Sequence, residues 1–126
     1  ELAEAIRKCT LPFGVSNIAE DAAIAALKYE AKLMVRVAHI LQERTRVSEA
    51  LTTQGWKISD SQANFVFTKH SKIAAHDLYT QLRAENILVR HFSIPRIENF
   101  LRITIGTDEQ CAQCIVILKK ILSSAI

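Results

Sequence analysis

The residues best suited to chemistry in this chain are arginines. Arg102 lies in Leu101-Arg102-Ile103-Thr104-Ile105, where apolar and polar residues alternate. That period of two describes a half-buried strand and directs Arg102 away from the apolar face. A guanidinium is a planar fork of donors matched to two oxygens of a carboxylate or phosphate. Arg90 stands in residues 87–92, a β-branched and aromatic strand candidate joined to the first by a connection over 93–99. If the two strands pair as a hairpin, both arginines project on the same side. Like charges so placed repel by a few tenths of a kcal/mol to about 1 kcal/mol, a cost that an anion bound between them converts into affinity. Arg96, in the connection, either joins them or is solvated. On these residues alone, the more ordinary reading of Arg102 is a solvated strand arginine.

Other candidates carry less. Cys111 and Cys114 have Cys-x-x-Cys spacing. A zinc site needs about four ligands, and no second pair or spaced histidines accompany them. A redox pair belongs near an exposed helix start, whereas both thiols fall on the apolar stripe of the last helix. Buried structural thiols are expected, and no metal. Histidines 39, 70, 76 and 91 show no metal-ligand spacing. His91, next to Arg90, either lines the same site or packs. No Gly-x-Ser-x-Gly, phosphate loop or Gly-x-Gly-x-x-Gly occurs.

The elements that must position these residues follow from periodicity. Residues 3–9 read as a helix, broken by Pro12 and Gly14. From Ser16 or Asn17 a helical pattern with Ile24, Leu27, Ala31, Met34, Ala38 and Leu41 at three- and four-residue steps runs on towards Leu51. Some 35 residues exceed the usual helix of about 8–20, so this one bends or bridges two bodies of structure. Strand candidates follow at 56–59 and 64–68, with Phe65 and Phe67 on one face and Asn64, Val66 and Thr68 on the other. A helix over 73–86, the strands at 87–92 and 101–105, and a last helix capped by Thr107 complete the order. The fold class expected is α+β: a small, mostly antiparallel sheet with helices packed on one face, preceded by the long helix.

Composition bounds the rest. The 126 residues suit one domain, and 49% hydrophobic against 23% charged suits a globular one with a core. The net charge of +3 is spread among interleaved signs, with no basic arm for nucleic acid. No apolar run approaches the roughly 18–20 residues of a membrane span. Three cysteines without dense spacing argue against a secreted disulfide scaffold. A cytoplasmic setting is expected, with neither nucleic acid nor membrane as partner. The chain opens Glu1-Leu2-Ala3-Glu4 without an initiator methionine, so a piece of a longer protein is expected.

Four segments, in order, resemble the C-terminal small domain of fold-type I aminotransferases, in particular the histidinol-phosphate branch. They are Pro12-Phe13-Gly14-Val15-Ser16, Ser61-Gln62-Ala63-Asn64-Phe65, Ile87-Leu88-Val89-Arg90 and Leu101-Arg102-Ile103-Thr104-Ile105-Gly106-Thr107. Their spacing is similar to the family's, and the resemblance covers nearly the whole chain. The sequence departs at Gly14, where the family commonly carries asparagine.

The resemblance implies pyridoxal 5′-phosphate, held as a Schiff base on a lysine of a large domain upstream of Pro12. No residue here matches that motif, so no catalytic residue and no bound cofactor are expected of this chain. What carries over is substrate binding. Arg102 matches the arginine that clamps the substrate's anionic group, Arg90 is similarly placed for a substrate phosphate, and Asn64 orients the region. The implied reaction exchanges an amino group between histidinol phosphate and 2-oxoglutarate in histidine biosynthesis, in a homodimeric parent. Residues 1–16 then form a helix remnant and interdomain segment, and 17–126 the small domain. Aromatic or cobalamin-pathway aminotransferases share much of this pattern, and a stand-alone module binding a small anion or a protein is the alternative of another class.

Overall fold

The computed structural model describes residues 1–10 and 14–124. In chain order these form α1 (Leu2–Cys9), α2 (Asn17–Lys28), α3 (Glu30–Thr52), β1 (Trp56–Ile58), β2 (Phe65–His70), α4 (Ala75–Ala84), β3 (Arg90–His91), β4 (Leu101–Thr104) and α5 (Asp108–Ser124). The expected break at Pro12-Phe13 lies outside the described residues. The chain divides into two compact units, Glu1–Arg36 and Val37–Ile126.

In the first unit, the Ser16 hydroxyl caps α2 by accepting from the Ala19 N–H at 3.3 Å, and Glu20 places a negative charge in the first turn. The single 35-residue helix expected from periodicity is two helices. Tyr29 leaves helical geometry at φ −109°, ψ 19°. Its N–H is shared between the carbonyls of Ala25 and Ala26, a tightening of the last turn. Its own carbonyl accepts from the Lys32 and Leu33 N–H groups and starts α3. No Gly or Pro marks the spot and the apolar spacing continues through it, so the pattern conceals the break. No residue of α1 or α2 is buried, and Ile24, Leu27 and Met34 of the expected stripe are exposed.

The second unit holds a four-stranded sheet of order β1-β2-β4-β3. All three pairings are antiparallel. Val66 and Thr68 of β2 stand opposite Ile103 and Leu101 of β4, and all four are buried. That face is covered by helices: Val47 and Leu51 of α3, Leu78 and Leu82 of α4, and Leu118 and Leu122 of α5 share one core with it. Burying such a side chain is worth about 1.5–3 kcal/mol. The Thr68 hydroxyl, fully enclosed, donates to the Lys57 carbonyl at 3.0 Å, so its polarity is satisfied. Helices on one face of an antiparallel sheet is the arrangement that alternation predicts.

The strand expected over 87–92 forms ladder pairs only at Arg90 and His91. Its first residue serves the preceding helix instead. Asn86 takes φ 61°, and the Ile87 and Asn86 N–H groups donate to the carbonyls of Leu82 and Arg83. This is a Schellman stop, with asparagine in the left-handed position usually given to glycine.

The last helix begins with a reciprocal cap. The Gln110 N–H donates to the Thr107 hydroxyl at 3.4 Å, and the Thr107 N–H donates to the Gln110 side-chain oxygen at 3.0 Å. A Cβ on Gly106 would force that same Gln110 side chain to shift, so the glycine leaves room for the cap. No helix among the described residues is long and apolar enough to cross a membrane.

Candidate functional site

Strand alternation gives the sheet a second face, opposite the one packed against Val47, Leu78 and Leu118. It carries Phe65 and Phe67 from β2, Arg102 and Thr104 from β4, and Arg90 from β3. Phe67 pairs with Arg102, and Arg102 pairs with Arg90. The three form one row across β2, β4 and β3. The two arginines therefore do project on the same side, as direct cross-strand partners.

Aromatic rings fill the space between the charges. Phe67 stacks on Phe100 at 4.6 Å and meets Phe92 edge-on at 5.9 Å. Each neighbouring cation lies over a ring. The guanidinium carbons of Arg102 and Arg90 are each 5.3 Å from the centroids of Phe65 and Phe92, and the Lys69 ammonium is 5.0 Å from that of Phe100. Arg102 is half-buried and Arg90 exposed. The Arg102 Nε is buried and has no hydrogen-bond partner. Neither arginine has an ion-pair partner among the described residues. Two unneutralised guanidinium groups in one row can receive a carboxylate or phosphate through charge-assisted, bidentate hydrogen bonds.

Asn64 sits at the beginning of this ladder, exposed, three positions along the strand from the Phe67 row. Its carbonyl accepts from the Ile105 N–H at 2.9 Å. The turn that delivers it is pinned twice. The Ser61 hydroxyl donates to the Phe65 carbonyl at 2.7 Å and accepts from the Ala63 N–H at 3.3 Å. From α3, Arg44 donates to the Ala63 carbonyl at 2.7 Å. Nothing in the spacing of Arg44, nineteen residues upstream of Ala63, signals that contact.

Two side chains near the arginines lie elsewhere. His91 follows Arg90 on the strand and therefore faces the opposite way. Its ring packs 5.9 Å from Tyr79 and 5.8 Å from His76 on α4, and its Nε2 lies 2.8 Å from the Glu98 carbonyl. It packs and does not line the arginine face. Arg96 is exposed in the connection, in the left-handed region at φ 77°.

A second charged cluster, not singled out from sequence, joins α3 to α5. Glu43 is 6% exposed and accepts two hydrogen bonds from Arg46, at 2.8 and 2.7 Å. That guanidinium holds the Glu43 carboxyl below the usual carboxylate range. Arg46 also reaches the Asp108 carbonyl at 3.3 Å, and His39 lies 3.1 Å from the Asp108 carboxylate. In this cluster the Arg46 guanidinium is taken up by Glu43 and the Asp108 carbonyl, so it is not a free receptor for an anion.

Cys111 and Cys114 are buried on α5 and unpaired. Burial raises both thiols, Cys114 to about 11, which suits packing and opposes nucleophilic or redox use. No group of His, Cys, Asp and Glu among the described residues can hold a metal. A cavity of about 410 Å³ lies beside α5, lined by Leu51, Val89, Ile105, Cys114 and Leu118 among others. Its lining has no charged side chain, so it is no receptor for an anion.

A family model and curated relatives place the chain among known proteins. The family model described as aminotransferase class I and II matches residues 1–118. Histidinol-phosphate aminotransferase 1 of Bradyrhizobium diazoefficiens is 38% identical over 122 residues, covering 97% of this chain and 35% of that protein. Histidinol-phosphate aminotransferase of Aromatoleum aromaticum is 42% identical over 110 residues, covering 87% of this chain and 31% of its own length. Among solved structures, the histidinol-phosphate aminotransferase of Clostridium acetobutylicum superposes with a TM-score of 0.81 at 27% identity, over 97% of this chain and 38% of that one. The enzyme of Sinorhizobium meliloti, in complex with pyridoxal-5′-phosphate, gives 0.79 at 26% identity, over 98% of this chain and 34% of that one. The chain thus spans about a third of the length of the relatives it matches.

Proposed function

The chain belongs to the class I and II aminotransferases, and from that premise we propose that it is the substrate-binding small domain of a pyridoxal-phosphate-dependent aminotransferase of the histidinol-phosphate type. The proposed reaction moves an amino group between histidinol phosphate and 2-oxoglutarate. The observation that carries this reading is the cross-strand pair Arg90 and Arg102 on the second face of the sheet, with the buried Arg102 Nε unpartnered. A dianionic phosphate suits two guanidinium groups where a lone carboxylate needs one. Asn64, which alternation places on the opposite face from the arginines, acts on the site only through the turn that its carbonyl ties to Ile105.

Pyridoxal phosphate requires a lysine in a sheltered pocket and donors around its phosphate. No lysine of this chain is buried. Lys120 is engaged with Glu85 at 2.8 Å, and Lys69 lies over Phe100. These residues do not fit the cofactor, so we assign it, with the catalytic lysine, to protein outside this chain. No step of the chemistry runs through the residues described. Their part is to bind and orient the substrate anion. The exposed apolar side chains of the first unit, among them Ile18, Leu27 and Val35, suit cover by that further protein or by the second subunit of a homodimer. Three free cysteines suit a cytoplasmic setting.

The test is kinetic and uses the full-length protein. Arg102→Ala removes a charge-assisted contact worth about 1.5–3 kcal/mol, equivalent to a rise in KM of roughly 10- to 150-fold. Unchanged KM for histidinol phosphate sinks the assignment of Arg102. Preference for an aromatic amino acid over histidinol phosphate sinks the substrate assignment alone.

A further inference from the structure

We propose that Phe65 is a positioning residue for Arg102, holding its guanidinium ready for the substrate anion, and that Phe92 does the same for Arg90. The inference rests on the reading of the two arginines as substrate ligands and deepens it by naming what holds them.

The problem these rings solve is set by the register. Directly opposed residues of an antiparallel pair have Cα atoms only about 4.5–5.5 Å apart. Arg90 and Arg102 are such a pair, so like charges are forced together before any ligand arrives. A carboxylate neighbour would relieve the repulsion, but it would also neutralise the charge and compete with the substrate. Neither arginine has an ion pair among the described residues. Each instead lies over an aromatic face at 5.3 Å, where the ring quadrupole attracts the cation without cancelling it.

The two rings also pull in opposite directions. Phe65 pairs with Thr104, two residues beyond Arg102, so Arg102 leans towards that end of β4. Phe92 lies two residues beyond Arg90 on the antiparallel strand, towards Phe100, with which Phe67 stacks. The guanidinium groups are drawn apart along the strands while their row stays intact. The planar forks keep donors free, and the Arg102 Nε stays buried without a partner. Phe67, packed between Phe92 and Phe100, props Phe92 in place.

A double-mutant cycle in the full-length enzyme tests this, with inorganic phosphate as competitive inhibitor and its Ki as the readout. Phe65→Leu and Phe65→Met remove the ring. Each is expected to raise Ki roughly 3- to 10-fold, with kcat within about twofold of wild type, whereas Phe65→Tyr restores wild-type Ki. On an Arg102→Ala background, Phe65→Leu adds nothing further. Additive effects, or an unchanged Ki in Phe65→Leu, overturn the proposal. Failure of both ring-less variants to fold also overturns it, because Phe65 is then a core residue and nothing more. An unchanged Ki in Arg102→Ala alone is a different failure, for it removes the anion site itself.

Discussion

Arg90 and Arg102 face each other across the β3–β4 ladder, yet their guanidinium groups lie over different rings, Phe92 and Phe65. The backbone thus sets the two charges opposite each other while each side chain rests on a ring of its own. An anion that bridges the pair binds the folded state only. Phosphate should therefore stabilise this chain, by about 1.4 kcal/mol at ten times its Kd. Thermal melts in phosphate against chloride of equal ionic strength should show the gain in wild type and lose it in Arg102→Ala. An equal gain in both variants contradicts the site.

The Glu43–Arg46 pair makes a prediction about acid. Arg46 lowers the carboxyl of Glu43 in the folded state, so the pair contributes stability above the unfolded carboxylate value of about 4.3. That contribution is lost as pH falls through the depressed folded value. Glu43→Gln should be less stable than wild type at pH 7, by about 1.5–3 kcal/mol. Below about pH 4 the difference should shrink. Urea unfolding at pH 7 and pH 3 measures both, and a difference independent of pH refutes the role of the charge.

Thiol reactivity separates buried from exposed cysteines. With Cys114 raised to about 11, roughly one molecule in ten thousand carries its thiolate at pH 7. In the folded chain, Cys9 should be alkylated quickly, and Cys111 and Cys114 only on unfolding. Mass spectrometry after timed iodoacetamide treatment reads the order. Fast labelling of Cys114 in native protein means that α5 does not pack as described.

The start of α5 can be broken at two points. Gln110→Ala removes one half of the reciprocal cap and should cost about 0.5–2 kcal/mol. Gly106→Ala drives a methyl into the Gln110 side chain and displaces the same cap. The double variant should then cost little more than Gly106→Ala alone, because both changes remove one interaction. Full additivity in thermal unfolding shows that Gly106 matters for another reason.

Much of this was legible in the chain because period-two alternation is unambiguous where one sheet face is buried. Leu101 and Ile103 read as inward residues and are, which turns Arg102 outward; in β2 alternation separates Phe65 and Phe67 from Val66 and Thr68, and only the fold shows that Val66 and Thr68 are the inward pair. What alternation cannot supply is register. That Arg90 falls opposite Arg102, and not one residue away, depends on how the connection over 93–99 is folded. The short β3 was hidden because Asn86 does the work of a glycine in stopping α4. The break at Tyr29 leaves the apolar spacing undisturbed. Arg44 and Glu43 escaped because their partners, Ala63 and Arg46, are a distant carbonyl in one case and one turn along a charged helix in the other. A helical pattern shows which charges are neighbours, and only the fold shows which of them are covered.

The sheet order places Arg102 on an interior strand and Arg90 on an edge strand with two ladder pairs. The two positions therefore differ in how freely they can change over evolutionary time. A substitution or insertion around Arg90 perturbs two residues of edge pairing, whereas one at Arg102 disturbs strands on both sides and the layer of leucines beneath. Descendants of this domain can revise the outer arginine to recognise a new substituent while inheriting the inner one intact. Divergence of substrate range within such a lineage is then expected to be written first in the 87–99 segment.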